Sequence, residues 1–223
     1  TLCRESVTYT VRRNNIEVTA SHRFCNAAPV TIAIYYGMQS MFEGETHVLT
    51  PGGAYTDWTE VAKASTFTKQ EHPLFRRYVE KNRQGYQSTW LLPDGLGDHA
   101  LLDGQDDIFI YAPYGKSYHK LIGNKRMENG DKTCWRGVYT WFETPIADDA
   151  DLLCYEGSVG GHTAVFIDCK RACKRTLALP GYLDLRHFGT AEQNSGIRIS
   201  AAGRNKLKIK AGAPGSCVLL LRE

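Results

Sequence analysis

Apolar and polar residues alternate along much of the chain with a period of two residues. The alternation covers residues 6–12 and resumes over residues 16–24, where Ile16 and Val18 are placed on the inward face. A period of two is the spacing at which side chains share one face of a β-strand. Because turn-forming residues at 13–15 separate the two runs, they predict a β-hairpin.

Further segments of strand length follow the hairpin, and Gly, Pro and Asn residues separate them at roughly the 8–12-residue spacing of all-β domains. These segments are residues 29–36, 46–50, 86–92, 107–112, 117–122, 135–142, 152–155, 162–170, 176–179, 197–201, 206–210 and 217–221. The predicted strands do not alternate with long helices, so β-α-β units are not indicated. The pattern therefore predicts an all-β fold, a large antiparallel β-sandwich, with the last three segments as a closing meander.

One stretch departs from this pattern. Behind Pro73, apolar residues recur at helical spacing, and proline suits the first turn of a helix. The apolar residues are Leu74, Phe75, Tyr78 and Val79. A short helix over residues 73–84 is therefore expected, with an excursion loop as the alternative.

Length and composition are those of one folded domain. The chain has 223 residues, of which 42% are hydrophobic and 23% charged, as in ordinary globular proteins. All-β domains often reach this length as one unit, so we predict a single β-sandwich domain over residues 1–223. Since the sequence begins at Thr1, a segment of a larger protein, with covalently linked neighbouring domains, stays open as an alternative.

Charge and hydropathy exclude two classes of partner. The net charge is +3 and no Lys/Arg block occurs, so no nucleic-acid-binding surface is predicted. No run approaches the roughly 18 apolar residues of a membrane helix, so membrane insertion is not expected. A secreted or periplasmic location is expected, because a processed chain would begin without Met.

Seven cysteines occur, and the closest pair in sequence is Cys169 and Cys173. No second thiol or histidine pair accompanies this C-x3-C spacing, as a zinc finger would require. Unpaired thiols that pack as small hydrophobic groups are the favoured interpretation, and disulfides stay open. The sequence also contains no P-loop, GxGxxG or GxSxG motif, so neither a cofactor nor a metal ion is predicted.

The densest polar cluster is residues 115–120, which contain Lys116, Tyr118 and His119. Tyrosine and histidine can act as acid and base on a sugar ring, and a nearby lysine lowers the pKa of an acidic neighbour. On a strand, however, Tyr118 and His119 point to opposite faces, with Lys116 on the side of Tyr118. A solvated strand edge protected by lysines is the alternative interpretation.

Other candidates are more scattered. Asp98 and His99 close a Gly-rich stretch over residues 95–99, where the backbone can approach a ligand or simply form a turn. Tyr36 and Gln39 could contribute an aromatic platform and an amide to a sugar site.

The four tryptophans divide into two groups. Trp58 lies in a turn-rich stretch and is the better surface candidate, able to stack on a sugar ring. Trp135 and Trp141 lie on a strongly aromatic strand, and we expect them to fill the space between two sheets.

Residues 15–53 form a strand, a break at 26–29, a second strand and a stop at Thr-Pro-Gly-Gly over 50–53. Together with the many strands, this layout resembles the β-supersandwich of galactose-mutarotase-like proteins and of β-domains in polysaccharide-processing enzymes. Mutarotases carry a catalytic histidine after the second such strand, and residues 35–39 contain none here. What the resemblance implies is a carbohydrate as the ligand.

The sequence thus predicts a carbohydrate-active β-sandwich domain that binds or processes a sugar or polysaccharide. An enzyme of epimerase, lyase or hydrolase type is one form of this hypothesis, and a non-catalytic accessory or interaction module of a larger extracellular protein is the alternative. The candidate catalytic residues are His119, Tyr118 and His99. The candidate ligand-binding residues are Lys116, Gln39, Tyr36, Trp58 and Asp98.

Overall fold

The computed structural model describes residues 1–41, 45–51, 53–61, 77–92, 107–111, 116–193 and 196–221. This part of the chain contains no α-helix, and its strands pair antiparallel throughout. The prediction of an all-β antiparallel fold is therefore confirmed. Within the same residues, no helix is long and apolar enough to span a membrane.

The first half of the chain contains β1 (Cys3–Arg12), β2 (Asn15–Phe24), β3 (Val30–Met41), β4 (His47–Leu49), β5 (Thr59–Glu60), β6 (Arg77–Asn82), β7 (Gly85–Leu91), β8 (Asp107–Tyr111) and β9 (Lys116–Met127). The second half contains β10 (Lys132–Phe142), β11 (Ala147–Asp148), β12 (Leu152–Val159), β13 (His162–Cys169), β14 (Cys173–Ala178), β15 (Phe188–Gln193), β16 (Ile197–Gly203), β17 (Lys206–Ala211) and β18 (Gly215–Leu221).

These strands form four sheets. The seven-stranded sheet has the order β1-β2-β10-β7-β6-β4-β5, and the five-stranded sheet has the order β11-β12-β13-β18-β15. Two three-stranded sheets complete the fold, one with the order β3-β9-β8 and the other with the order β14-β17-β16. The predicted hairpin is confirmed, since β1 and β2 pair along their whole length around the turn between Arg12 and Asn15.

The sheets stack as four layers, because an apolar core fills each of the three spaces between them. The seven- and five-stranded sheets are the inner layers, and each is covered on its outer face by a three-stranded sheet. Strand β13 illustrates the arrangement: Phe166 packs toward the seven-stranded sheet, while Val165 and Ile167 pack toward the β14-β17-β16 sheet. All three side chains are fully buried.

The helix expected over residues 73–84 is wrong where the structure describes the segment, because Arg77–Asn82 is strand β6. Tyr78 faces the β3-β9-β8 sheet and Val79 faces the five-stranded sheet, and both are fully buried. A strand covered on both faces has apolar residues at adjacent positions, which imitates helical spacing. Residues 73–76 lie outside the described residues.

The expected closing meander is also wrong in part. Strands β16 and β17 form a hairpin, but β18 leaves that sheet and lies between β13 and β15 in the five-stranded sheet. The reason is burial on two faces: Val218 belongs to one core and Leu219 to the next. Only an inner strand can bury adjacent side chains in this way.

A buried ion pair connects the two inner layers. Arg77 on β6 donates a hydrogen bond to the carboxylate of Asp168 on β13 and another, of 2.8 Å, to the hydroxyl of Tyr155. Both charged side chains are 1% exposed. Burial raises the pKa of Asp168 to about 7, and the attraction of Arg77 acts in the opposite direction.

All seven cysteines are free thiols. Cys154, Cys169 and Cys217 lie in the core between the five-stranded and β14-β17-β16 sheets. For these three, the interpretation as small hydrophobic groups is confirmed.

Candidate functional site

The two residues proposed to handle protons lie on opposite faces of β9, as strand alternation predicts. His119 is 2% exposed, and its ring centre lies 5.3 Å from that of Tyr78 on β6. Tyr118 lies on the outer face of the β3-β9-β8 sheet, where its ring centre is 4.8 Å from that of Tyr36. The two candidates therefore do not share one site.

The other predicted ligand-binding residues are dispersed. Tyr36 is 41% exposed, Gln39 is exposed, and Lys116 is half-buried at the first position of β9. Asp98 and His99 lie outside the described residues.

Trp58 lies on the other side of the seven-stranded sheet, in a polar cluster centred on Asp148. The carboxylate accepts hydrogen bonds from Trp58 Nε1 at 3.0 Å, Lys81 Nζ at 2.8 Å, Lys170 Nζ at 2.8 Å and the Tyr86 hydroxyl at 2.9 Å. Burial alone would raise the pKa of Asp148, but the bonds from Lys170 and Lys81 hold it well below its usual range. The cluster ties β6 and β7 to β11, so the indole of Trp58 serves as part of a structural link between two sheets.

An open cleft of about 790 Å³ lies at one end of the seven-stranded sheet. Its walls come from the turn between β1 and β2, the end of β3, the β6–β7 hairpin and the end of β10. The polar lining includes Asn14, Glu80, Asn82, Gln84, Gln87 and Glu143. Small-molecule sites commonly have volumes of about 300–1,000 Å³, so the cleft has the size of a ligand site.

An aromatic surface lines one wall of the cleft. Trp141 is 39% exposed, and its ring stacks on that of Tyr139 with 5.8 Å between centres and 19° between planes. The expectation that Trp141 fills the space between sheets is wrong, because it lies near the end of β10 where the β3-β9-β8 sheet no longer covers the strand. Trp135, six positions earlier on the same strand, is 7% exposed and buried as expected.

A chain of hydrogen bonds runs from this wall into the protein. Trp141 Nε1 donates to Gln87 Oε1 at 3.0 Å, and Gln87 Nε2 donates to Ser40 Oγ at 2.7 Å. Ser40 Oγ lies 3.2 Å from the Tyr78 hydroxyl, which also accepts a bond of 2.7 Å from Ser117. The side chains at the cleft wall are therefore held in place by buried partners on β3, β6 and β9.

Glu80 is the most perturbed acid at the cleft. It is 4% exposed, and burial raises its pKa to about 8, although Ser117 Oγ lies within hydrogen-bonding distance at 3.1 Å. Ser117 has one hydroxyl proton and two neighbours, Glu80 and Tyr78. With Glu80 protonated, the acid donates to Ser117, Ser117 donates to Tyr78, and Tyr78 donates to the Met38 carbonyl at 3.3 Å. The raised pKa favours neutral Glu80 at pH 7, and this donor chain accommodates the protonated acid.

The cleft therefore combines an exposed aromatic face, several amides and a carboxylic acid that keeps its proton at neutral pH. The sequence does not single out Glu80, because the apolar spacing around it predicts a helix. A tertiary partner is what makes Glu80 unusual: the hydroxyl of Ser117 comes from β9, next to the predicted Tyr118. The sequence thus places the polar cluster on the correct strand, but it points to Tyr118 and His119 where the structure uses Ser117.

Among the described residues, no group of three or more His, Cys, Asp or Glu side chains is arranged to hold a metal ion. No protein family, no curated protein and no solved structure matches this chain.

Proposed function

We propose that this domain is carbohydrate-active and binds a sugar or polysaccharide in the cleft between the β6–β7 hairpin and the end of β10. The observation that carries the proposal is the exposed, stacked ring of Trp141 beside a row of side-chain amides. Pyranose rings present an apolar face of C–H groups and an edge of hydroxyls. An aromatic plane matches the first and amide groups match the second.

The position of Trp141 supports binding at this wall in particular. Its indole nitrogen is held by Gln87, and Gln87 is itself bound to Ser40. A ring fixed in this way loses little conformational freedom when a ligand stacks on it, which lowers the cost of binding. Because the cleft is open, it suits a segment of a longer chain as well as a single sugar.

The protonation of Glu80 supports processing in addition to binding. Glycoside cleavage uses one protonated carboxyl to donate to the leaving oxygen and a second carboxylate across the bond. Glu80, with a pKa of about 8, has the protonation state of the first, and Glu143 is a second carboxyl on the cleft wall. We assign Glu80 the role of proton donor in this proposal.

The second candidate function is a non-catalytic interaction module, and a separate surface favours it. Tyr36 and Tyr118 form an aromatic pair on the outer face of the β3-β9-β8 sheet, and Ile34 beside them on β3 is 53% exposed. A surface of this kind suits docking of a glycan or a neighbouring domain. The galactose-mutarotase-like layout and the extracellular location stay predictions alongside either function.

Glycan-array binding followed by titration calorimetry on the best ligand tests the first proposal. Trp141→Ala is expected to weaken binding about tenfold, as loss of an aromatic stacking contact typically does. Tyr182→Ala, at a 72% exposed tyrosine outside the cleft lining, is the matched control and should bind like wild type.

Two further variants separate the alternatives. Glu80→Gln should keep binding and lose any turnover of the bound glycan, whereas equal turnover would remove Glu80 from the chemistry. If Tyr36→Ala abolishes binding and Trp141→Ala does not, the ligand surface is the outer sheet and the cleft proposal is wrong. If the protein binds no carbohydrate on the array, both forms of the cleft proposal, binding and processing, are refuted.

A further inference from the structure

Strand β1 is an exposed edge of the seven-stranded sheet. It is ten residues long, and all of its residues after Cys3 are exposed. Tyr9 and Val11 are 65% and 68% exposed, although Tyr9 pairs across the ladder with Val18, which is buried. Residues that pair directly share one face of the sheet, so β1 continues the buried face of β2 beyond the layer that covers it.

The free hydrogen-bonding groups of β1 belong to its odd-numbered residues. The β1–β2 turn spans two residues, so Arg12 and Asn15 form a hydrogen-bonded pair. At the other end of the ladder, the Cys25 amide donates a hydrogen bond of 3.0 Å to the carbonyl of Leu2, which is again an even-numbered residue. Even-numbered residues of β1 therefore bond to β2, and odd-numbered residues direct their N–H and C=O groups away from the sheet.

Other edge strands in the described part of the chain are short or irregular, which blunts pairing between molecules. Strands β5 and β11 have two residues each, and β8 and β14, although regular, have five and six. The ladders of β3, β15 and β16 each contain a register shift. By contrast, the β1 ladder is regular over its whole length, and the strand contains neither proline nor lysine.

The sequence of the exposed edge is symmetric. Residues 7–11 are Val-Thr-Tyr-Thr-Val, a palindrome centred on Tyr9. In a two-fold symmetric pair, each residue meets its symmetry equivalent or a residue that meets it in return. We propose that β1 pairs antiparallel with β1 of a second copy of this chain, with Tyr9 opposite the partner's Tyr9 and Val7 opposite the partner's Val11.

This register satisfies both the backbone and the side chains. Tyr9, Val7 and Val11 all have odd numbers, so each pair exchanges two outward hydrogen bonds, or about six in total. The three apolar side chains lie on one face of β1 and contact the same three side chains of the second copy. The apolar face of the sheet therefore continues across the two-fold axis. A register centred on Thr8 would instead place Arg4 opposite the partner's Arg12.

Charge complementarity favours the same register. With Tyr9 at the centre, Glu5 lies opposite the partner's Arg13, and the pair occurs twice by symmetry. The Glu5 carboxylate lies 3.1 Å from His22 Nε2 within its own chain, yet its side chain is 55% exposed. Arg13 is exposed in the turn, so both side chains are accessible to a second copy. The symmetric pairing closes on itself, and we expect a dimer that does not grow further.

Analytical ultracentrifugation of the whole chain under reducing conditions, across a range of concentrations, tests the dimer. Tyr9→Pro removes an outward N–H without touching the bonds to β2 and should raise the dimer dissociation constant about tenfold or more. Tyr9→Lys, which keeps the backbone intact, should act in the same direction. Ile34→Lys, an equally drastic change at a 53% exposed apolar residue of another edge strand, is the control and should leave the dimer unchanged.

A cross-linking experiment tests the register. In a background with Cys3→Ser and Cys25→Ser, Tyr9→Cys places two thiols in a hydrogen-bonded pair with about 5.5 Å between Cα atoms, within the range of disulfides. Oxidation should then give a covalent dimer. Val7→Cys should not cross-link, because the symmetry-related residue lies four positions away, roughly 14 Å along the strand.

Each outcome decides the proposal. A wild-type chain that sediments as a monomer at all concentrations overturns it, as does a dimer that Tyr9→Pro and Tyr9→Lys leave unchanged. Efficient cross-linking through Val7→Cys but not Tyr9→Cys would overturn the register and with it the palindrome argument.

Discussion

Replacing Glu80 by glutamine should make the stability of this protein less dependent on pH. The substitution keeps the size of the side chain and removes its titration. Burial raises the pKa of Glu80 from its ordinary 4.5 to about 8 in the folded protein. Between these two values, the folded state holds a proton that the unfolded state has released.

The size of the effect follows from linkage. Where the folded state binds one proton more than the unfolded state, the free energy of unfolding falls by about 1.4 kcal/mol for each unit of rising pH. The contribution of protonated Glu80 to the free energy of unfolding is fully present below pH 4.5 and is lost as the pH rises toward 8. Between about pH 5.5 and 7.5, wild type should lose about 2.5 kcal/mol that Glu80→Gln does not lose.

Urea denaturation, monitored by tryptophan fluorescence at several pH values between about 5.5 and 7.5, measures this change in the free energy of unfolding. Asp168 also has a raised pKa, of about 7, but it is present in both proteins and cancels in the difference. Glu128→Gln is the matched control, since the side chain of Glu128 is 55% exposed and surface changes usually alter stability by less than about 0.5 kcal/mol.

The result that would refute the reasoning is a difference in stability between wild type and Glu80→Gln that stays constant from about pH 5.5 to 7.5. Such a result would mean that Glu80 is ionised in the folded protein. The role of Glu80 as a proton donor at the cleft would then fail as well, because both depend on the same proton.

Further predictions concern the links between layers. Arg77→Met should lower the free energy of unfolding by about 3–5 kcal/mol, because it leaves the carboxylate of Asp168 buried without its cation, whereas combining it with Asp168→Leu should recover much of the loss in the same denaturation assay. Asp148→Asn should cost about 2–4 kcal/mol, since the carboxylate holds four hydrogen bonds, two of them from lysines. Gly137→Ala should cost about 1–3 kcal/mol by overpacking, because an added Cβ would lie 2.1 Å from Met38 Sδ, and a lower thermal midpoint would report it.

Alternation of polar and apolar residues predicts the elements that have at most one covered face. The hairpin of β1 and β2 follows from alternation and from the turn-forming residues at 13–15. The structure contains this hairpin, and its turn is two residues long because Asn15 already belongs to β2. Where layers cover both faces, the period of two disappears, and for this reason the sequence predicts a helix in place of β6. The sequence predicts β18 as a strand but not its partners β13 and β15, which are distant in the chain. A local pattern reports the contrast between two faces, and an inner strand has none.

The candidate site was predictable only in part, for a related reason. The sequence shows the polar cluster on β9, and alternation correctly places Tyr118 and His119 on opposite faces. The partners of Ser117 could not be recognised, because Tyr78 and Glu80 are 39 and 37 positions distant in the chain. The exposure of Trp141 depends on where the covering β3-β9-β8 sheet ends, which no signal on β10 itself indicates.

By itself, the sequence determined the strand content, the turns and the face on which each side chain of β9 lies, since these depend on backbone geometry and on neighbours within a few residues. It also contains the palindrome around Tyr9, although only the parity of the β1–β2 ladder shows that its polar groups are free. The tertiary structure alone decided which strands became inner, where the layers stop and which distant side chains surround Glu80. Those features depend on how the sheets stack, and the burial that results raises the pKa of Glu80 above that of an exposed glutamate.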